Sequence, residues 1–237
     1  MTRSGQPADG RQLEPFRTHR GPDGQAGICP LCGPTTVNII IKDSPVIQEV
    51  IVTTRAPAGR VHIAPMGIRQ QDGLIIIAPF RPSTTLDNVL ASGCAVINYT
   101  DDVRIFAGCI CGRQDWPVTV SQRVAAPRLV DTLAHTEVEL LRVEDDPVRH
   151  RLFCRSVHQE THHPFQGFNR AQAAVLELAI LASRLDRLPA DKIAQEVGYL
   201  RIAIDKTAGP RELLAWDWLM ERIAAHQAVA TDGAMLS

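Results

Sequence analysis

The sequence predicts an α+β fold, mainly β: a β-barrel followed by a C-terminal domain of three helices. Three observations carry this. Between residues 48 and 158, short runs rich in β-branched residues alternate with turn signals. A single strongly marked helical segment, over 83–93, breaks that series. After Phe168 the apolar period changes from that of a strand to that of a helix.

Taken in order, residues 1–45 form a leader dominated by Gly, Pro, Arg, Gln and Asp as far as Gly27. So few aliphatic residues do not bury enough surface to order a chain, and disorder is expected there. The barrel is expected over 46–165. Its first strand spans 50–54, Pro57-Ala58-Gly59 turns, and a second strand spans 61–66. Gln71-Asp72-Gly73 turns into the buried strand 74–78, which Pro79 and Pro82 end because proline cannot donate to a ladder. Ser83 is a good N-cap, Leu86, Val89 and Leu90 recur at helical spacing, and Gly93 stands where a left-handed C-terminal cap belongs. A strand returns over 94–100, a short helix follows over 101–108, and 109–120 reads as irregular. Residues 136–144 and 149–158 make a hairpin around Asp145-Asp146-Pro147.

The helical domain is expected over 166–228, with Asn169 capping its first helix. Ala171, Ala174, Val175, Leu178, Leu181 and Leu185 share one apolar face. Ile193, Val197, Leu200 and Ile204 share a second. Pro210 opens a third helix bearing Leu213, Trp216, Met220 and Ile223, and 229–237 is expected to fray.

Composition excludes several function classes. The 237 residues carry a net charge of −1, with no basic surplus for nucleic acid and no polybasic run for a membrane. No apolar run is long enough to span a bilayer, and the N-terminus lacks a signal-peptide core. A cytoplasmic chain with reduced thiols is expected. There is no Gly-x-Gly-x-x-Gly, no P-loop and no Gly-x-Ser-x-Gly, which argues against Rossmann, NTPase and hydrolase chemistry.

Three constellations remain. Arg81, Ser83, Thr84, Thr85 and Asn88 crowd one helix N-terminus, where free N–H groups and the helix dipole favour a phosphate. Plain capping explains part of the same pattern, and the residues alone leave both readings open. Cys29-Pro30-Leu31-Cys32 is half of a zinc knuckle, without the second pair that a closed tetrahedral site needs; incidental cysteines are expected. His158, His162 and His163 could ligate a metal, border a cofactor, or lie in a solvated loop before Pro164. The solvated loop is the expected reading, and no metal is expected.

Ile51-Val52-Thr53-Thr54-Arg55, Val61 to Gly67, Pro79-Phe80-Arg81 to Asn88 and Val96 to Asp102 follow one another in an order that resembles the domain of unknown function 447 family, DUF447. Phe168-Asn169-Arg170 and Asp205-Lys206-Thr207 fit its C-terminal part. That family is similar to flavin-reductase-like, FMN-binding split β-barrels. The resemblance implies bound FMN and a homodimer with the cofactor between subunits. It implies the phosphate at Arg81, Ser83, Thr84, Thr85 and Asn88, the ring beside Thr53, Arg55, His62, Ala64, Pro65, Met66 and Gly67, and Asn98 as a further cofactor-binding residue. It leaves Arg170 either as a helix-start residue or as one reaching a pocket across the dimer. The activity it implies is hydride or electron transfer through flavin, in tetrahydromethanopterin-linked one-carbon metabolism. A non-catalytic flavin carrier or protein-interaction module is the alternative.

Overall fold

The computed structural model describes residues 46–235; the expected leader, with Cys29 and Cys32, lies outside the described residues. Six strands close into an antiparallel barrel in the order β1-β2-β3-β8-β7-β4. They are β1 (Gln48–Arg55), β2 (Val61–Gln71), β3 (Leu74–Ile77), β4 (Cys94–Tyr99), β7 (Ala134–Glu144) and β8 (Arg151–Thr161). Closure gives each of the six barrel strands a paired neighbour on both sides. The β2–β3 turn pairs Gln71 with Leu74 and holds Asp72 and Gly73 at φ 50° and 75°, as a two-residue hairpin with positive φ at both central positions requires.

Period-two alternation divides the strands into an inner and an outer face. Val50, Val52, Ile68, Ile75, Ile77, Ala95, Ile97, Val138 and Leu152 fill the barrel. Helix α1 (Thr84–Ser92) contributes Leu86 and Val89 to the same core. The helix begins and ends as its sequence predicts. Ser83 is extended and its Oγ accepts from the Leu86 N–H, while Gly93 at φ 70° donates its N–H to the Val89 carbonyl.

The outer face of β1 and β4 is covered twice. Helix α2 (Val103–Ile110) lays Ile105 and Phe106 against Ile51 and Ile63. Residues 117–132, which include the short pair β5 (Val118–Thr119) and β6 (Arg128–Leu129), form a strap beside it. Three buried polar side chains hold the strap. Thr53 Oγ1 donates to the Pro127 carbonyl at 2.5 Å, and the Leu129 N–H donates to Asn98 Oδ1 at 2.8 Å. Asn98 Nδ2 donates back to the Ile51 carbonyl and to Thr53 Oγ1. Glu137 accepts the N–H groups of Gln122, Arg123 and Val124 at 2.7, 2.6 and 3.0 Å.

The C-terminal helices are α3 (Arg170–Ala182), α4 (Ala190–Thr207) and α5 (Pro210–Met235), with a short 3₁₀ turn at Leu185–Arg187. Asn169 Oδ1 caps α3 through the Ala171 and Gln172 N–H groups, and its Nδ2 donates to the Thr207 carbonyl. The helical core takes a fourth member that the sequence placed with the barrel. Val103 and Ala107 of α2 join Val175, Leu178, Ile193, Ile204, Trp216 and Leu219. With apolar residues on two faces, α2 cements the helices to the barrel wall. At the far end α5 runs on to Met235, into the stretch read from the sequence as a frayed tail.

Candidate functional site

A cavity of about 620 Å³ opens where β2, the turn between β3 and α1, α2, α3 and the start of β8 meet. This is the size range of small-molecule sites. Its apolar wall includes Pro65, Met66, Ile76, Phe80, Phe106 and Leu176. Arg69, Arg149, Arg151 and Arg184 also line it, and Ser83 brings the N-terminus of α1 to its rim. Four guanidinium groups beside an open helix start suit an anion, while the apolar wall suits a flat ring.

Arg149 is held from two sides by the segment between β3 and α1. Its Nε donates to the Ala78 carbonyl at 2.9 Å, and its guanidinium lies 4.0 Å from the centroid of the Phe80 ring. Arg151 donates to Glu144 and Gln71 at 2.9 and 3.2 Å. Two carboxylates, Glu49 and Asp146, also border the cavity. Asp146 Oδ1 is occupied by the N–H groups of Val148 and Arg149, which hold its carboxyl below the ordinary aspartate range.

Of the residues expected around a flavin, the structure brings Pro65, Met66, Gly67 and Ser83 to this cavity. Gly67 has a packing reason to be glycine, since a Cβ there would stand 2.7 Å from Ile47 Cγ2. The others are elsewhere. Thr53 and Asn98 are fully buried under the strap, and Arg55 Nε donates to the strap carbonyl of Ala125 at 2.9 Å. His62 and Ala64 pair with Thr54 and Val52 and so share the inward face of β2. Burial, with Arg60 nearby, pushes the His62 imidazole below its usual value. Arg81 turns to Asp145 at 3.7 Å rather than to the cavity. Thr84 is exposed, Thr85 is buried with its Oγ1 unpartnered, and Asn88 Nδ2 donates to Thr54 Oγ1 at 2.9 Å. Arg170 does not line the cavity.

Sequence reading missed the arginines. Arg149 and Arg151 stand two apart at the opening of β8 and so share a face, but only the β3–β8 pairing carries that face to α1. Burial pushes the Cys109 and Cys154 thiols up to about 12.

The DUF447 N-terminal domain model, described as a protein of unknown function, matches residues 48–163, and the DUF447 C-terminal model matches residues 169–221. No curated protein matches the chain. Among solved structures, the chain is similar to an FMN-bound DUF447 protein from Methanosarcina mazei at 20% identity and a TM-score of 0.65. That likeness covers 74% of this chain and 94% of the other, and it shows a shared fold. The 2-nitrobenzoate 2-nitroreductase of Pseudomonas fluorescens aligns over 50% of this chain and 66% of its own, at 22% identity and a TM-score of 0.44. Nitrilotriacetate monooxygenase component B from Mycobacterium thermoresistibile aligns over 51% and 72%, at 17% identity and a TM-score of 0.44.

Proposed function

We infer that this chain, which belongs to the DUF447 family of proteins of unknown function, is a flavoprotein that holds FMN in the cavity between β2, α1 and α3. One observation carries the reading: an apolar slot and a cluster of guanidinium groups meet at one helix start, matching the two halves of a flavin mononucleotide. The name of the Methanosarcina protein, FMN-bound and of the same family, supports it. The roles that follow for this chain's residues differ from those implied by resemblance. Arg149 and the first N–H groups of α1 bind the phosphate, with Ser83 fixing the start of the helix. Met66, Pro65 and Phe106 wall the ring and keep water from it.

When bound, the flavin would supply hydride or single-electron transfer, and the protein's part is binding, orientation and local charge. We read the protein as an oxidoreductase on that basis. The homodimer and the tetrahydromethanopterin link rest on the family resemblance alone. Among the described residues, no helix is long and apolar enough to cross a membrane.

The test is a titration of the purified full-length chain with FMN and with riboflavin, read by quenching of flavin fluorescence. FMN binding at one per chain, tighter than riboflavin, is expected. A chain that quenches neither has no flavin site. Bleaching of the bound flavin by NADH or NADPH then marks a reductase, whereas bleaching by dithionite alone marks a carrier.

A further inference from the structure

At the opposite end of the β7–β8 hairpin from the cavity, five titratable side chains share one face. His135 and Glu137 stand two apart on β7, and His158, Glu160 and His162 stand two apart along β8 and just past its end. The antiparallel register sets His135 against Glu160 and Glu137 against His158. The rings of His135 and His162 are stacked, with centroids 5.1 Å apart and planes within 5°. His135 Nδ1 lies 2.9 Å from His162 Nε2, and His135 Nε2 lies 3.3 Å from Glu137 Oε1.

We propose that this face binds one divalent transition-metal ion through His135 Nδ1, His162 Nε2 and a Glu160 oxygen, with Glu137 orienting His135. Facing atoms of these three ligands lie within 4.8 Å of one another. A tetrahedral ion with metal–nitrogen bonds of about 2.0–2.1 Å sets its two nitrogens about 3.3 Å apart, so the imidazoles need to part by only a few tenths of an ångström.

Glu137 decides which nitrogen of His135 is available. It is fully buried, and three strap N–H groups together with His135 Nε2 take up both its oxygens. Such a carboxylate accepts and does not donate, so His135 carries its proton on Nε2 and turns the Nδ1 lone pair to His162. A carboxylate behind a ligating imidazole is the usual outer partner of a metal-bound histidine. The same saturation argues against the other grouping, His135–Glu137–His158, which would need a Glu137 lone pair that is already taken. His158 Nε2 is buried without a hydrogen-bond partner, 3.7 Å from Glu160 Oε2. An unpartnered imidazole nitrogen beside these ligands is a second sign of a group to be coordinated nearby. Arg128 is the opposing charge, but its guanidinium is engaged by the Leu129 and Val130 carbonyls. Two imidazoles and one carboxylate suit zinc or iron(II) rather than calcium or magnesium, and leave a coordination position for water.

The test uses the full-length, untagged chain with Cys29→Ser and Cys32→Ser, which removes competing thiolates. After stripping with a chelator it is titrated with Co²⁺ alone, followed by its visible absorption. One Co²⁺ per chain with the intense bands of a four- or five-coordinate ion, displaced by Zn²⁺, is expected. His162→Ala should abolish the bands and His163→Ala should leave them. Glu137→Gln should weaken binding by roughly 10- to 100-fold. Circular dichroism and a thermal melt check that each variant is folded. If the Glu137 variant does not fold, the His162/His163 contrast still decides. The weak spectrum of hydrated octahedral Co²⁺, or full binding by His162→Ala, would overturn the proposal. Neither outcome depends on whether the distant cavity holds flavin.

Discussion

Arg149 lies over the ring of Phe80, 4.0 Å from guanidinium carbon to ring centroid, and is pinned to the Ala78 carbonyl by its Nε. Both partners belong to the segment that leads into α1, so this arginine from the start of β8 is locked to the helix whose N-terminus meets the cavity. A side chain so held loses little rotamer entropy on meeting an anion.

The Arg149→Ala variant should therefore weaken FMN binding about 10- to 100-fold, since a charge-assisted contact is worth roughly 1.5–3 kcal/mol and 1.4 kcal/mol is tenfold. Riboflavin affinity should change little. Arg81→Ala, which loses an exposed pair with Asp145, should change FMN affinity by much less. Isothermal calorimetry with the two flavins and the two variants checks this. Equal loss of riboflavin and FMN on removing Arg149 would move its role from phosphate to ring wall.

Asn98→Ala should lower stability before it touches any cofactor. The change strips the Leu129 N–H of its partner and leaves Thr53 and the Ile51 carbonyl short of a donor, all in a buried site. A cost of about 2–4 kcal/mol is expected from unsatisfied buried groups of this kind. Urea denaturation followed by tryptophan fluorescence and circular dichroism measures it. Unchanged stability with lost flavin would return Asn98 to the cofactor site.

His62 links stability to pH with a definite sign. Its folded pKa is pushed below the ordinary value by burial and by Arg60, so the folded state favours the neutral ring. The stability this provides is present above the unfolded value of about 6.5 and is lost as pH falls through the lower folded value. His62→Asn should flatten the fall of Tm with decreasing pH below about 6.5. A wild-type slope retained in the variant would assign the acid limb to other groups.

Cys109 and Cys154 should resist alkylation in the folded chain at neutral pH, because burial holds both thiols near 12. Brief iodoacetamide treatment followed by peptide mass spectrometry should find both unmodified, and both should label once urea is added. Rapid labelling of Cys109 in the folded state would show that α2 opens from the barrel.

Much of the architecture was legible because it is written in local periods. Strand alternation, the Ser83 and Gly93 caps of α1 and the Asn169 cap of α3 are each fixed by a few neighbouring residues. Those signals do not depend on what the rest of the chain does. Partners distant in sequence were not legible. Thr53 and Asn98 look like site residues in a motif, yet their hydrogen-bond capacity is spent on Pro127 and Leu129 of a strap with little regular pattern of its own.

The sequence by itself determined the run of barrel strands and C-terminal helices and the family, because periodicity and ordered motifs are properties of the chain. Only the tertiary structure decided which charges meet. Register across β3, β8 and β7 brings Arg149 to α1 and sets His135 against Glu160, pairs separated along the chain by more residues than any local pattern spans. In a closed barrel each register is fixed jointly by all six strands, and that joint constraint cannot be read from any one segment.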